Sequence, residues 1–347
     1  MRFRRPVAAM VVGANLCVRP TFQGHPSAPV SPRWYIIGET ALADSPQVPS
    51  PQGAVIVHRL WGVFLILTLA AQQVSAGEAA AVDSNRRTNP FFAFCMDTHD
   101  SEKRTLREQA ALLAELGYDG AGHLWLDGIE ERLRTLDEFK LKLFQVYLRV
   151  SLAPEKEPYD PRLKDVLPLL KGRDVMLALL IAGMPPSASA GDSKAVQVVR
   201  EMADMASEHD VRIALYPHVG DWLERVEDGV RVARKVDRPN VGVMFNLCHW
   251  LKLDDEENLK PLLVSAMPYL FAVSINGTDS AAEIRAGTGQ WIQPLDAGSF
   301  DMRAFLQRLG NLGYQGPVGL QCWGIGGDAR DHLARSMAAW RDFTGGG

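Results

Sequence analysis

The chain has 347 residues, 47% of them hydrophobic and 22% charged, which is the composition of a globular protein with material for a large buried core. A formal net charge of −4, with no local basic patch, excludes a phosphate-backbone partner such as nucleic acid. The four cysteines, Cys17, Cys95, Cys248 and Cys322, have no CxxC spacing, and three of them fall at expected strand ends, so buried free thiols are expected rather than ligands or nucleophiles.

Residues 1–57 begin MRFRR and then carry Pro20, Pro26, Pro29, Pro32, Pro46, Pro49 and Pro51 without a sustained apolar period, so no fold is read there. His58–Arg59 lead into LWGVFLILTLAA (Leu60–Ala71), and Val74 and Ala76 precede Gly77. A short basic flank, an apolar core and small residues at −3 and −1 are the pattern of a secretory signal peptide over residues 58–76. The apolar run is too short for a comfortable span of about 20 residues; a buried core segment and an uncleaved anchor are the other readings. Export machinery reads the extreme N-terminus, so translation is expected to start near Val55 or Val57. The mature chain then starts near Gly77, a linker runs over residues 77–88, and the protein is periplasmic or extracellular with no stable membrane span after cleavage.

From Asn89 the pattern becomes regular. Expected strands are Phe91–Met96, Tyr118–His123, Leu143–Val150, Val175–Ile181, Arg212–His218, Val241–Asn246, Leu270–Asn276 and Val318–Gln321. Helices are expected over Ser101–Leu116, Gly128–Phe139, Pro161–Leu170, Ser193–His209, Asp221–Val236, Asn258–Met267, Met302–Leu312 and Ala329–Phe343. The fifth helix has a capping-box pattern, Asp221 followed by Glu224. Eight strand–helix units over residues 89–343 match an α/β fold, a (β/α)8 TIM barrel, whose functional residues gather where the strands end. A doubly wound sheet needs a glycine-rich phosphate turn after its first strand, and FCMDTHD has none. Two connections stand out. Asn276 to Phe300 is long and carries Thr278, Asp279, Trp291, Gln293 and Asp296, as a lid over a ligand would. The turn Trp323-Gly-Ile-Gly-Gly-Asp328 precedes the last helix, where free N–H groups either hold an anion or close the loop.

The polar residues at the strand ends are Asp97 and His99, then His123, then Tyr147 and Arg149, then Tyr216 and His218, then Asn246 and His249, then Ser274 and Asn276, and finally Gln321 with Trp323. In the last four strands Tyr216, His218, Asn246, Ser274, Asn276 and Gln321 share the alternation phase opposite the Val/Ile/Leu/Phe face that the outer helices need.

Over roughly Pro90 to Phe343 the chain resembles the xylose-isomerase-like TIM-barrel superfamily, which includes sugar-phosphate isomerases and epimerases, inositol-pathway dehydratases and AP endonucleases. The resemblance rests on the eight-unit rhythm, on GYDG at Gly117–Gly120 and on the fifth, sixth and eighth strand ends. It implies a divalent metal held by carboxylates, in patterns like L-E-x-H, F-D-x-x-H and a final E. The matching positions here are Tyr216 with His218, Asn246 with His249, and Gln321, so both histidines stay while three acidic positions are neutral. Loss of anionic oxygens weakens a Mg²⁺- or Mn²⁺-type site severely. The open readings are a metal-free enzyme with His218 or His249 as acid/base, a weak or rebuilt metal site around Asp97, His99, His123 and Asp279, or a sugar-binding barrel without catalysis. An AP endonuclease role conflicts with the missing ligands and the charge.

The leading expectation is an exported carbohydrate-active enzyme of isomerase, epimerase or lyase type that moves a proton beside a sugar carbonyl, with His218 and His249 catalytic and no firm cofactor. Asp97, His99, His123, Tyr147, Arg149, Tyr216, Asn246, Asn276, Trp291, Gln321 and Trp323 are expected to bind a small carbohydrate, and Trp291 or Trp323 to stack on a sugar face. Export favours a free or oxidised sugar or a glycoside over a sugar phosphate. N-terminal peptide mass spectrometry of the native protein should find a chain starting near Gly77; peptides from Met1 to Gln52 would sink the short start.

Overall fold

A computed structural model describes residues 89–345. The expected signal segment, linker and Cys17 lie outside them. Eight parallel strands pair in sequence order and close, the first against the last. They are β1 (Phe91–Phe94), β2 (Gly120–Leu124), β3 (Lys142–Ser151), β4 (Met176–Ala182), β5 (Arg212–Leu215), β6 (Val241–Asn246), β7 (Leu270–Ile275) and β8 (Val318–Gln321). The main outer helices are α1 (Leu106–Leu116), α2 (Ile129–Glu138), α3 (Leu163–Leu170), α4 (Asp192–Ser207), α5 (Val226–Val236), α7 (Leu259–Ala266), α9 (Met302–Asn311) and α10 (Ala329–Thr344). Two short helices, α6 (Leu247–Trp250) and α8 (Ala281–Ala286), sit in the connections after β6 and β7. The protein is the (β/α)8 barrel that its periodicity predicts.

Alternation along the strands sorts the core into two layers. Val146, Leu148, Ile213, Leu215, Val243, Phe245, Val273 and Leu320 face outward into one continuous core with the helices. Phe92, Phe94, Phe144, Met176, Ala178, Ala214, Met244 and Ala272 form a separate cluster inside the barrel. Two phenylalanines from one strand are large for that interior, and Gly319 on the neighbouring β8 makes room: a Cβ there would lie 2.7 Å from Phe92 Cζ and 2.9 Å from Phe94 Cε1. Phe92 also stacks on Phe144 at 4.7 Å. The rings fill the interior below the strand ends, and a cleft lies above them at the upper mouth.

Element ends differ from expectation for local reasons. β5 stops at Leu215 because Pro217 has no N–H to extend the ladder, and His218 donates its N–H to Leu223 O at 2.9 Å instead. The Asp221–Glu224 pair does not cap α5. Asp221 N–H returns to His218 O, and the Glu224 carboxylate accepts from Gly220 N–H at 3.0 Å, so both residues belong to the loop. The helix starts at Val226, where the Asp228 carboxylate accepts the Arg225 N–H at 3.0 Å. Similarly α1 starts at Leu106, behind a capping box of Thr105 and Glu108.

Gly319→Ala should lower the unfolding free energy by about 1–3 kcal/mol, because the barrel interior cannot give both phenyl rings new places. Urea denaturation measures this, and an unchanged midpoint would mean that the rings move aside freely.

Candidate active site

At the upper mouth of the barrel lies a cleft of about 470 Å³, lined by Cys95, Leu124, Trp125, Tyr147, Arg149, Leu180, Tyr216, His218, His249, Trp291, Ile292, Gln321 and Trp323. Eight of these wall residues come from positions that the sequence singles out: Tyr147, Arg149, Tyr216, His218, His249, Trp291, Gln321 and Trp323 all reach it, from five different strands or the loops after them.

His218 and His249 pack against each other, with ring centroids 4.1 Å apart. The Pro217 break throws His218 off β5, and α6 carries His249 back over the end of β6. His249 is 5% exposed; burial, then the charges of His218 and Lys252, push it well below the ordinary histidine range. Its Nδ1 accepts the Val219 N–H at 3.3 Å, so the neutral ring carries its proton on Nε2 and serves as a donor. Burial also lowers His218, opposed in part by Asp221. Its Nδ1 is 3.6 Å from Asp221 Oδ2, and neither buried atom makes a hydrogen bond elsewhere. A proton on Nδ1 facing that carboxylate leaves the Nε2 lone pair of His218 free to act as a base.

The other strand-end residues form a neutral ring. Gln321 Nε2 donates to the Tyr216 hydroxyl at 3.4 Å, and its Oε1 accepts the Trp323 N–H at 3.0 Å. Tyr147 meets Tyr216 edge-on at 4.9 Å. Burial raises both phenols well above their ordinary value, so they stay protonated and act as hydroxyl groups. Arg149 stays largely exposed, its guanidinium 5.3 Å from the Trp125 ring centroid and 4.0 Å from Asp221 Oδ2. Trp291 meets His249 edge-on at 5.4 Å and holds the Lys252 ammonium 2.9 Å from its own ring centroid.

The remaining expected residues lie elsewhere. His123 is fully engaged: Nε2 donates to Asp127 O at 2.8 Å and Nδ1 accepts from Arg132 Nε at 3.3 Å, which leaves no ring nitrogen for a ligand. Asn246 accepts from Ser274 Oγ at 2.9 Å and from Cys248 Sγ at 3.2 Å, and lines a separate small cavity with Pro217 and Trp250 instead of the cleft. Asn276 donates to Gly277 O and Trp291 O, holding the wall rather than facing the cleft. Asp97 is exposed outside the cleft wall. His99 is exposed too; it accepts the Gly324 N–H at 3.2 Å and braces Trp323 edge-on at 5.3 Å. Sequence reasoning missed Asp221, hidden in what resembled a helix cap, and Trp125, whose only signal is its place directly after a strand end. It also missed Leu124, Leu180, Ile292 and Lys252.

The alternative metal site is corrected by the same geometry. Asp97, His99, His123 and Asp279 do not gather: among the described residues no group of three or more His, Cys, Asp or Glu side chains could hold a metal ion. Asp279 spends its carboxylate on the Gln290 and Ser299 N–H groups. At the family positions the donors are a phenol and two engaged amides, and the nearest cations, Arg149 and Lys252, oppose a divalent ion. These residues do not fit the carboxylate-held metal of the resemblance. The thiols do not substitute: Cys95, Cys248 and Cys322 are free and buried, and burial pushes Cys248 up to about 12. The turn before α10 holds an anion of its own. Asp100 Oδ1 accepts the Ala329 N–H at 3.0 Å, Asp328 Oδ1 accepts the Arg330 N–H at 2.8 Å, and Arg104 bridges both carboxylates.

A profile of the xylose isomerase-like TIM barrel family matches residues 110–343. The chain belongs to this family. Among curated proteins it is similar to a ketose 3-epimerase of Arthrobacter globiformis, 25% identical over 188 residues, which are 52% of this chain and 60% of that one. The match thus spans less than two thirds of the relative. Among solved structures, D-allulose 3-epimerase from Methylomonas sp. is 15% identical with a TM-score of 0.58, over 74% of this chain and 98% of that one. AP endonuclease, family 2, from Brucella melitensis is 19% identical with a TM-score of 0.56, over 73% and 98%. Likeness at these identities is one of fold.

Elemental analysis of the purified protein should find no stoichiometric Mg²⁺ or Mn²⁺, and chelation should leave any activity intact. One bound equivalent would overturn the mismatch argued from the donors.

Proposed function

We propose that the protein is an exported enzyme that moves a proton beside the carbonyl of a ketose-type sugar without a divalent metal. The observation that carries this reading is the pair of mutually packed, neutral histidines at the cleft, one backed by Asp221 and the other fixed as a donor by Val219. The family membership and the similarity to a ketose 3-epimerase support the substrate class.

His218 takes the proton from the carbon next to the carbonyl, and the C–H electron pair moves onto the carbonyl oxygen to give an enediolate. His249 Nε2–H donates to that oxygen as its charge grows, in a site from which burial excludes much water. The Tyr216 and Gln321 groups orient sugar hydroxyls. The His218 imidazolium then returns the proton to the carbon it left or, once His249 has given its Nε2 proton to the former carbonyl oxygen and taken the proton of the neighbouring hydroxyl in exchange, to the former carbonyl carbon, leaving the new carbonyl on its neighbour. Rings only 4.1 Å apart approach a substrate from one side, so proton return on one face fits better than inversion. Aldose–ketose isomerisation is therefore favoured over epimerisation, which needs an acid on the opposite face. The neutral polar ring equally suits a sugar-binding barrel without turnover, which the same experiment separates.

Incubation with D-fructose or D-allulose in D₂O should place deuterium on carbon beside the carbonyl, read by mass spectrometry. His218→Gln should slow this by at least about 100-fold. The base must be neutral, and burial lowers its pKa, so kcat/KM should rise with pH along a limb whose midpoint lies below about 6.5 and be flat at neutral pH. Sugar binding without carbon-bound deuterium would leave a binding protein; exchange surviving in His218→Gln would remove His218 as the base.

A further inference from the structure

The large hydrophobic side chains exposed among the described residues are Trp125, Val264 and Trp323, and two of the three line the cleft. Trp125 is 37% exposed and sits at φ 66°. A bulky residue in the left-handed region is strained, because its Cβ crowds the following carbonyl oxygen. Glycine avoids that cost and is used at φ 70° three residues later, at Gly128. Trp125 thus combines backbone strain with a water-facing indole, and packing in the core explains neither. Arg149 covers one part of the ring, and its guanidinium keeps donors free for hydroxyl groups because its nearest carboxylate is 4.0 Å away.

The cleft offers more volume than one sugar ring fills. Its inner wall is hydroxyl, amide and imidazole; its exposed wall is indole, with Leu124 and Ile292 beside it. Apolar C–H faces of a pyranose suit such indoles, and ring hydroxyls suit Arg149. A phosphate in place of the second ring is disfavoured, because the N–H groups that start α10 are already taken by Asp100 and Asp328.

We infer that Trp125 and Arg149 form a second sugar subsite, so that the ligand is a glycoside: a carbonyl-bearing sugar at the histidines, linked to a second ring that stacks on Trp125. This rests on the proposal that the inner end takes a ketose. Calorimetry on the full chain should compare D-fructose, the ketose disaccharides lactulose and isomaltulose, and fructose 6-phosphate. A ketose disaccharide should bind about tenfold tighter than D-fructose, and fructose 6-phosphate no tighter than D-fructose. Trp125→Gly keeps the backbone conformation while removing the ring, and should bring disaccharide and D-fructose to within about twofold of each other. Should that variant not fold, Trp125→Asn also tolerates the left-handed backbone. Equal affinity for both sugar sizes, no disaccharide binding at millimolar concentration, tighter fructose 6-phosphate, or a preference that survives loss of the indole overturns the subsite. Disaccharide preference without deuterium exchange keeps the subsite and removes the proton-transfer reading, whereas exchange on D-fructose without preference does the reverse.

Discussion

Eight parallel strands that close on themselves leave no free edge, so every inward side chain must either fill the interior or face a mouth. Phe92, Phe94 and Phe144 fill the interior, and they fit because Gly319 yields its side-chain space. The inward positions above them then become Tyr147, Tyr216 and Gln321, which the same period-two alternation delivers to one rim. The site depends on this division: shifting a strand by one residue would send Tyr216 into the helix layer and Leu215 into the cleft.

Charge sets the character of that rim. Tyrosine, asparagine and glutamine stand where the resemblance leads one to expect carboxylates, so burial meets no compensating negative charge except Asp221. Two imidazoles in such a place stay neutral, and the neighbouring Lys252 ammonium pushes His249 further in that direction. A neutral imidazole is both a competent base and a competent donor at neutral pH, which suits the proposed proton transfer. The loss of anionic ligands and the depressed histidines are therefore two sides of one electrostatic arrangement.

The strand order, the outer core and most of the cleft wall were legible because they follow from period two, which acts residue by residue. The hidden parts depend on contacts that no period carries. His123 and His249 look alike in sequence, each at a strand end, yet Arg132 and Asp127 occupy both nitrogens of the first while only a backbone N–H holds the second. Asp221 followed by Glu224 carries a helix-start pattern, but Pro217 ends the strand early and the resulting loop turns Asp221 toward His218. The glycine turn before α10 looked open to an anion, and only tertiary structure brings Asp100 from the β1 loop onto it.

The long connection after β7 links these themes. Its length suits a lid, and hydrogen bonds order it as a wall of the cleft: Gly277 and Gln293 exchange N–H···O bonds of 3.0 and 2.8 Å, and α8 has its own capping box at Ser280 and Glu283. Gly277 permits this closeness, since a Cβ there would lie 1.9 Å from Pro294 O. The Asn276 amide then holds Trp291 by its carbonyl at 2.8 Å. Fixed in this way, Trp291 supports His249 edge-on on one side and receives Lys252 against its ring face on the other. Asn276 thus acts without touching the cleft. By fixing one tryptophan it holds the lysine charge beside the histidine pair, and so helps set the protonation state on which the proposed chemistry depends.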